Sequence, residues 1–241
     1  MSKYGYLGEH LANSEQAVDY NNGQFYTFFL LRLILKLSNG GDEHFVVLPN
    51  GQKRGFEDLI SHKNEFANKV SWVTDFMKIY NVLKSFEEDS YMKIPPKEEV
   101  QELYAKFCTN NNEIYVRDGN LHHIGNWLFL DYSAIDHSCF PNATWFISGR
   151  EIIVKSIEYV DDFTNIRFAY IDDLNQPTAI RRQRLLRSHH FHCECITCLD
   201  VESDQLKSSI LCPNCKDDDG CIPISTRICR NCNLEMVEQL G

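Results

Sequence analysis

A chain of 241 residues with 43% apolar side chains has material for one large domain, or a domain with a small appendage, which excludes disorder throughout. Its formal net charge of −10 argues against unaided binding to a nucleic-acid backbone and suits a basic partner such as a lysine-rich peptide. No apolar run approaches the ~20 residues that cross a bilayer, and the N-terminus, with Glu9, Glu15 and Asp19, lacks the basic-then-apolar plan of an export signal.

Residues 1–24 are polar, rich in Asn and Gly, and read as a loosely ordered segment. From Phe25 to Leu37 apolar residues recur at helical spacing almost all round (Phe28, Leu31, Leu35 and Phe29, Leu33, Leu37), which predicts a core helix covered on most sides. Ser38-Asn39-Gly40-Gly41-Asp42 ends it. Gly55 to Glu88 returns to helical texture with one buried stripe expected at Phe66, Val70, Val73, Met77 and Tyr80. Pro95-Pro96 opens another helix over 97–108, since proline is tolerated in a first turn.

The texture changes after Asn110-Asn111-Asn112. Short β-branched and aromatic runs predict strands at 114–116, 127–130, 143–147, 151–157 and 165–170, with a hairpin turn at Ser148-Gly149-Arg150. Ala179 to Ser188, with Arg181, Arg182, Arg184 and Arg187, reads as a short helix running into a cysteine cluster. The fold class expected is therefore α+β, a helical first half followed by a small β-rich core and a cysteine-rich C-terminus.

Ten cysteines without an export signal point to a reducing compartment, cytoplasmic and/or nuclear, where thiols bind metal more often than they pair. Cys139 stands apart from Cys193, Cys195 and Cys198, the last three packed as Cys-x-Cys-x-x-Cys; four such thiols suit tetrahedral zinc and would tie two distant segments together. The bound thiolates would leave a formal charge of about −2, which the nearby arginines either offset or ignore as a solvated basic face. Cys212-Pro213-Asn214-Cys215 and Cys229-Arg230-Asn231-Cys232, with thirteen residues between them, have zinc-ribbon spacing and form a second metal-site expectation. A nucleic-acid role for that ribbon is disfavoured by Asp217-Asp218-Asp219 after Lys216. Cys108 and Cys221 are left as free thiols.

The order Asp136-His137-Ser138-Cys139-Phe140-Pro141-Asn142, a hairpin, Tyr170-Ile171-Asp172, an arginine-rich turn and Phe191-His192-Cys193-Glu194-Cys195-Ile196-Thr197-Cys198 resembles a SET domain with its post-SET motif, nearest to the SET and MYND domain (SMYD) family of protein-lysine methyltransferases. The resemblance implies a SET insertion over 25–112, a SET core over 113–172 and a post-SET zinc motif over 173–200, and the knuckle spacing leaves a zinc-ribbon-like segment over 201–241. It also implies that S-adenosylmethionine lies against Asp136 and His137, that Cys139 joins Cys193, Cys195 and Cys198 on one zinc, and that Phe191 covers the cofactor or walls the lysine channel. Tyr170 falls on the family's catalytic tyrosine, which orients the lysine amine and belongs to the cofactor site as well. The substrate implied is a protein lysine, with histones one candidate, and neither a nucleic acid nor a membrane is expected as partner.

Three departures stand beside the resemblance. Asp136 replaces the family's Asn, exchanging an amide that donates for a carboxylate that only accepts. The Gly-x-Gly strand pair and the MYND finger are not found ahead of the motif, nor is the family's long helical C-terminal domain found after it, so the chain reads as truncated or divergent. Val160-Asp161-Asp162 keeps the acidity of the family's Gly-Glu-Glu turn without its glycine. The alternative these departures favour is a catalytically inactive, zinc-stapled interaction or scaffold protein.

Overall fold

The computed structural model describes residues 23–89, 92–117, 121–149, 151–215 and 220–236. The expected loose segment ahead of Gly23, Arg150 of the hairpin turn and the acidic run at Asp217 lie outside the described residues. The chain divides between Ala134 and Ile135 into two compact units, mixed helix and strand as expected.

The first unit is led by α1 (Gly23–Leu37), which stops where Gly40 takes the left-handed region at φ 78° and its N–H closes on the Leu37 carbonyl at 3.1 Å. A hairpin that the sequence reading passed over follows, β1 (Phe45–Val47) against β2 (Lys53–Gly55), and then a 3-10 turn at Phe56–Asp58. Three helices come next, α2 (Lys63–Ala67), α3 (Val70–Asp89) and α4 (Lys97–Asn110), with Pro96 as the N-cap of α4. The unit closes with the hairpin β3 (Asn112–Arg117) and β4 (Leu121–Trp127), bulged between Ile114 and Tyr115. The strand expected at 127–130 therefore lies earlier in the chain, because Trp127 is the last residue to pair.

The core of this unit joins Leu30, Leu31 and Ile34 to Phe76, Ile79 and Leu83 of α3 and to Val100, Tyr104 and Phe107 of α4. The buried stripe of α3 is Trp72, Phe76, Ile79, Leu83 and Phe86, at spacings of three and four; of the expected stripe Phe66 is buried, on α2, but Val70 is 82% exposed and Val73, Met77 and Tyr80 are only partly buried. The reason is aromatic packing. Trp72 stacks between Phe66 at 5.3 Å and Tyr104 at 5.0 Å, contacts that add about 0.5–1.5 kcal/mol each beyond area burial and set the rotation of the helix. α1 likewise buries one face rather than most of its surface: Phe29, Leu33 and Leu37 border a cavity of about 720 Å³ with Arg32 and Lys36 at its edge. Lys106, almost wholly buried, donates to the Phe56 and Glu57 carbonyls at 3.3 and 3.1 Å and so ties α4 to the 3-10 turn.

The second unit is built from short pieces. β5 (Asp136–His137) runs parallel to β8 (Arg167–Phe168), and β6 (Ala143–Ser148) pairs antiparallel with β7 (Glu151–Ser156) through a turn in which Gly149 adopts φ 61°. The strand expected over 165–170 is reduced to β8, since Phe163–Asn165 forms a 3-10 turn capped by Asp162, whose carboxylate accepts from Thr164 N–H at 2.7 Å. Beyond it come α5 (Thr178–His189), α6 (Ile196–Leu199), α7 (Val201–Lys207) and a hairpin of β9 (Ser209–Leu211) with β10 (Cys221–Pro223).

Candidate functional site

Parallel pairing of two-residue strands far apart in sequence needs a fastener, and Asn142 is one. Its side-chain oxygen accepts from Arg167 N–H at 2.8 Å while its amide donates to the Asn165 carbonyl at 2.8 Å. Ser138 N–H donates to the Phe168 carbonyl at 2.8 Å, so the segment 136–142 is laid along the one that leads to Tyr170. Alternation along β5 leaves Asp136 exposed and His137 buried.

His137 links two parts of the site. Its Nδ1 accepts Tyr170 N–H at 2.9 Å, so in the neutral ring the proton sits on Nε2, which then donates to Cys139 Sγ at 3.3 Å. Burial pushes the imidazole down to about 4, and the positive charges of His189 and Arg181 act in the same direction. The ring is thus a neutral strut between a backbone amide and a sulfur. The Tyr170 hydroxyl donates to the Ile135 carbonyl at 2.5 Å, which leaves the oxygen's lone pairs as acceptors.

Around this strut the aromatic rings gather. Phe191 stands edge-on to Tyr170 at 6.4 Å and 5.9 Å from His137, and His189 lies 4.9 Å from Tyr170. The structure therefore unites His137, Tyr170 and Phe191, while Asp136 is turned outward. His189 was not singled out in the sequence; its signal was the run Ser188-His189-His190-Phe191, which ends α5 with His190 at φ 60° and brings residue 189 back over the tyrosine.

Cys139, Cys193, Cys195 and Cys198 bring their sulfurs within 4.8 Å of one another. The Cys139–Cys198 separation of 3.6 Å is far beyond a ~2.05 Å disulfide and close to the ~3.8 Å edge of a tetrahedron with ~2.3 Å zinc–sulfur bonds. Cys139 N–H points at Cys195 Sγ, 3.4 Å away, as an amide does toward a thiolate. Burial pushes the thiols of Cys139 and Cys193 up, the latter to about 11; burial opposes charge on Cys195 too, but the N–H groups of Cys139 and Cys198 hold it down to about 6. Four soft donors with no open vertex fit structural zinc.

The second cluster, Cys212, Cys215, Cys229 and Cys232, has the same compactness, with Cys212–Cys232 at 3.6 Å and Cys215–Cys229 at 3.7 Å. It also could hold zinc. Cys108 and Cys221 belong to neither group, and burial pushes the Cys108 thiol up to about 11, which makes it unreactive.

No protein-family model matches the chain. N-lysine methyltransferase SMYD2-A of Danio rerio is 32% identical over 181 residues, covering 74% of this chain and 39% of that protein. The chain is similar to the SMYD2 lysine methyltransferases. N-lysine methyltransferase SMYD2 of Homo sapiens is 30% identical over 120 residues, 50% of this chain and 27% of its own length, and Histone-lysine N-methyltransferase ASHR1 of Arabidopsis thaliana is 24% identical over 192 residues, 77% and 38%. The matches thus span under two fifths of each of these relatives, all three named as lysine methyltransferases.

Proposed function

We propose that this chain carries the methyl-transfer site of a SET-type protein-lysine N-methyltransferase, acting on a lysine of a protein in the cytoplasm and/or nucleus, with histones the first substrate class to try. The observation that carries this reading is the strut: one imidazole joins the backbone of Tyr170 to a cysteine of a four-thiol cluster, beside Phe191. That is the residue set the family resemblance assigns to catalysis, cofactor and zinc. The SMYD2-A similarity supports it independently of the geometry. In this reading residues 113–172 are the SET core, 173–200 the post-SET motif, and 25–112 and 201–241 the insertion and ribbon.

Bound S-adenosylmethionine supplies a methyl group on a positively charged sulfur. The chain's own task is to bring a deprotonated lysine amine in line with it, which an enclosing aromatic wall assists by disfavouring the ammonium form. Tyr170 suits that task because its proton is committed to the Ile135 carbonyl, so its oxygen turns acceptor lone pairs toward an amine N–H or a polarised methyl. Phe191 and His189 limit the room around it. His137, neutral and engaged at both ring nitrogens, takes no part in proton transfer and serves to hold Tyr170 and Cys139 in place.

Radiolabelled methyl transfer onto mixed histones tests this, with Tyr170→Phe as control. Signal from the wild type, lost in the variant, supports the reading; equal background from both sinks it.

A second reading, an inactive zinc-stapled scaffold, is favoured by Asp136, whose exposed carboxylate stands where the family has an amide. Calorimetric titration with S-adenosylmethionine separates the two, because the scaffold reading expects no heat of binding.

A further inference from the structure

Four arginines in α5 have different fates. Arg184 and Arg187 are exposed and Arg182 is half-buried, but Arg181 is 0% exposed. A guanidinium cannot shed its proton to escape a dry site, so its charge has to be matched where it lies. Among the described residues no carboxylate comes within ion-pair distance of it, and Asp204, which feels its charge through space, has its carboxylate bonded to Thr178 N–H. What Arg181 does touch is sulfur. Nη2 donates to Cys198 Sγ at 3.4 Å and to Thr178 Oγ1 at 2.8 Å, and Nη1 donates to the Gln176 carbonyl.

We infer that Arg181 is the built-in counter-ion of the first cysteine cluster, a positioning residue that favours the metal-loaded site. The inference rests on the zinc reading of that cluster. Four thiolates around a divalent cation sum to about −2, and a cation bonded to one of the sulfurs, Cys198 Sγ, brings the centre toward neutrality. Arg182 adds a clamp through the backbone, donating from Nε to the Cys193 carbonyl at 2.9 Å and from Nη2 to the Cys198 carbonyl at 3.3 Å. Among the described residues, the side-chain donors that reach the sulfurs of the second cluster are neutral amides, Asn231 3.7 Å from Cys215 Sγ and Asn214 against Cys232. The second cluster is therefore an internal control.

The test is chelator-driven zinc release from the intact protein, followed by a colorimetric indicator, in wild type, Arg181→Met and Arg181→Lys. Arg181→Met is expected to release the first zinc about 10–100-fold faster, as loss of a supporting contact does, and the ribbon zinc at the wild-type rate. Arg181→Lys keeps the charge and is expected to stay within a few-fold of wild type. Arg181→Met is also expected to melt lower than wild type when loaded, and Arg181→Lys to restore the loss, a rescue by charge that a purely space-filling role would not give. An Arg181→Met protein that holds only the ribbon zinc, while Arg181→Lys holds both, is the extreme of the expected result. Unchanged release of the first zinc in Arg181→Met, or equal damage by Lys and Met, overturns the inference and leaves the zinc reading intact. A wild type that carries zinc at the ribbon alone overturns both.

Discussion

The two cysteine clusters have the same chemistry and almost the same size, yet they are built for different purposes. In the first, a residue at 139 meets one at 198, closing 59 residues of chain around β6, β7, β8 and α5; in the second the corresponding closure is 20 residues. In a chain-entropy account the longer clip contributes about 1 kcal/mol more from closure alone. Three of the first four cysteines are buried, and the imidazole of His137 and the guanidinium of Arg181 lean on the sulfurs. The ribbon leaves Cys232 exposed and relies on its own backbone turns, with Asn231 N–H 3.4 Å from Cys229 Sγ. A local knuckle holds its own hairpin. A long-range one holds a site.

The largest effect expected from this contrast follows metal removal. Structural zinc contributes an apparent ~10–16 kcal/mol, as much as a domain's whole net stability of ~5–15 kcal/mol, so a strong chelator should unfold the second unit. Circular dichroism and melting curves that do not change on chelation would count against both ligand sets. Cys139→Ser should reproduce most of that loss, whereas Cys229→Ser should cost the ribbon and leave the His137–Tyr170 contact standing.

Next in size is Gly220→Ala. A Cβ at residue 220 would sit 2.2 Å from Cys215 Cβ and 2.7 Å from its sulfur, too close for any side chain, so the ribbon should lose its zinc while the first cluster keeps its own. Elemental analysis reads this as a fall from two equivalents to one, and two equivalents in the variant would refute the packing argument.

His137→Ala should act on the first cluster more gently. It removes a support from Cys139 and orphans Tyr170 N–H, at about 1–3 kcal/mol of stability and ~10–100-fold of zinc affinity. Methyl transfer should fall with it, because Tyr170 loses its anchor; a variant with normal affinity and normal turnover would remove His137 from the account. Smallest is Asn231→Ala, expected to cost under about 1 kcal/mol and to speed ribbon zinc release a few-fold, with no change at the first cluster.

Much of this architecture was legible in the sequence because cysteine spacing is a discrete signal. Cys193, Cys195 and Cys198 announce themselves whatever surrounds them, and the structure brings Cys139 to them. The helices α1, α4 and α5 were legible from periodicity and from Pro96. The burial face of α3 was not. Its apolar residues occupy two adjacent stripes, and the choice between them was made by Phe66 and Tyr104, which stack on Trp72 from elsewhere in the chain. The parallel pair β5–β8 was hidden too, for two-residue strands have no period; only Asn142 and the Ser138 amide make them a ladder. Arginines 181, 182, 184 and 187 looked alike as a basic run, and only the structure separates Arg181, which is buried, from Arg184 and Arg187, which are exposed as a solvated basic face would be.

The central claim is that Cys139 and the trio from Cys193 to Cys198 grip one ion, and that this grip sets Tyr170 against His137. Zinc content of the purified protein, measured beside that of Cys139→Ser, addresses it most directly. Two equivalents in the wild type and one in the variant, with the ribbon zinc retained, is the result expected. A Cys139→Ser protein that still carries two would contradict it.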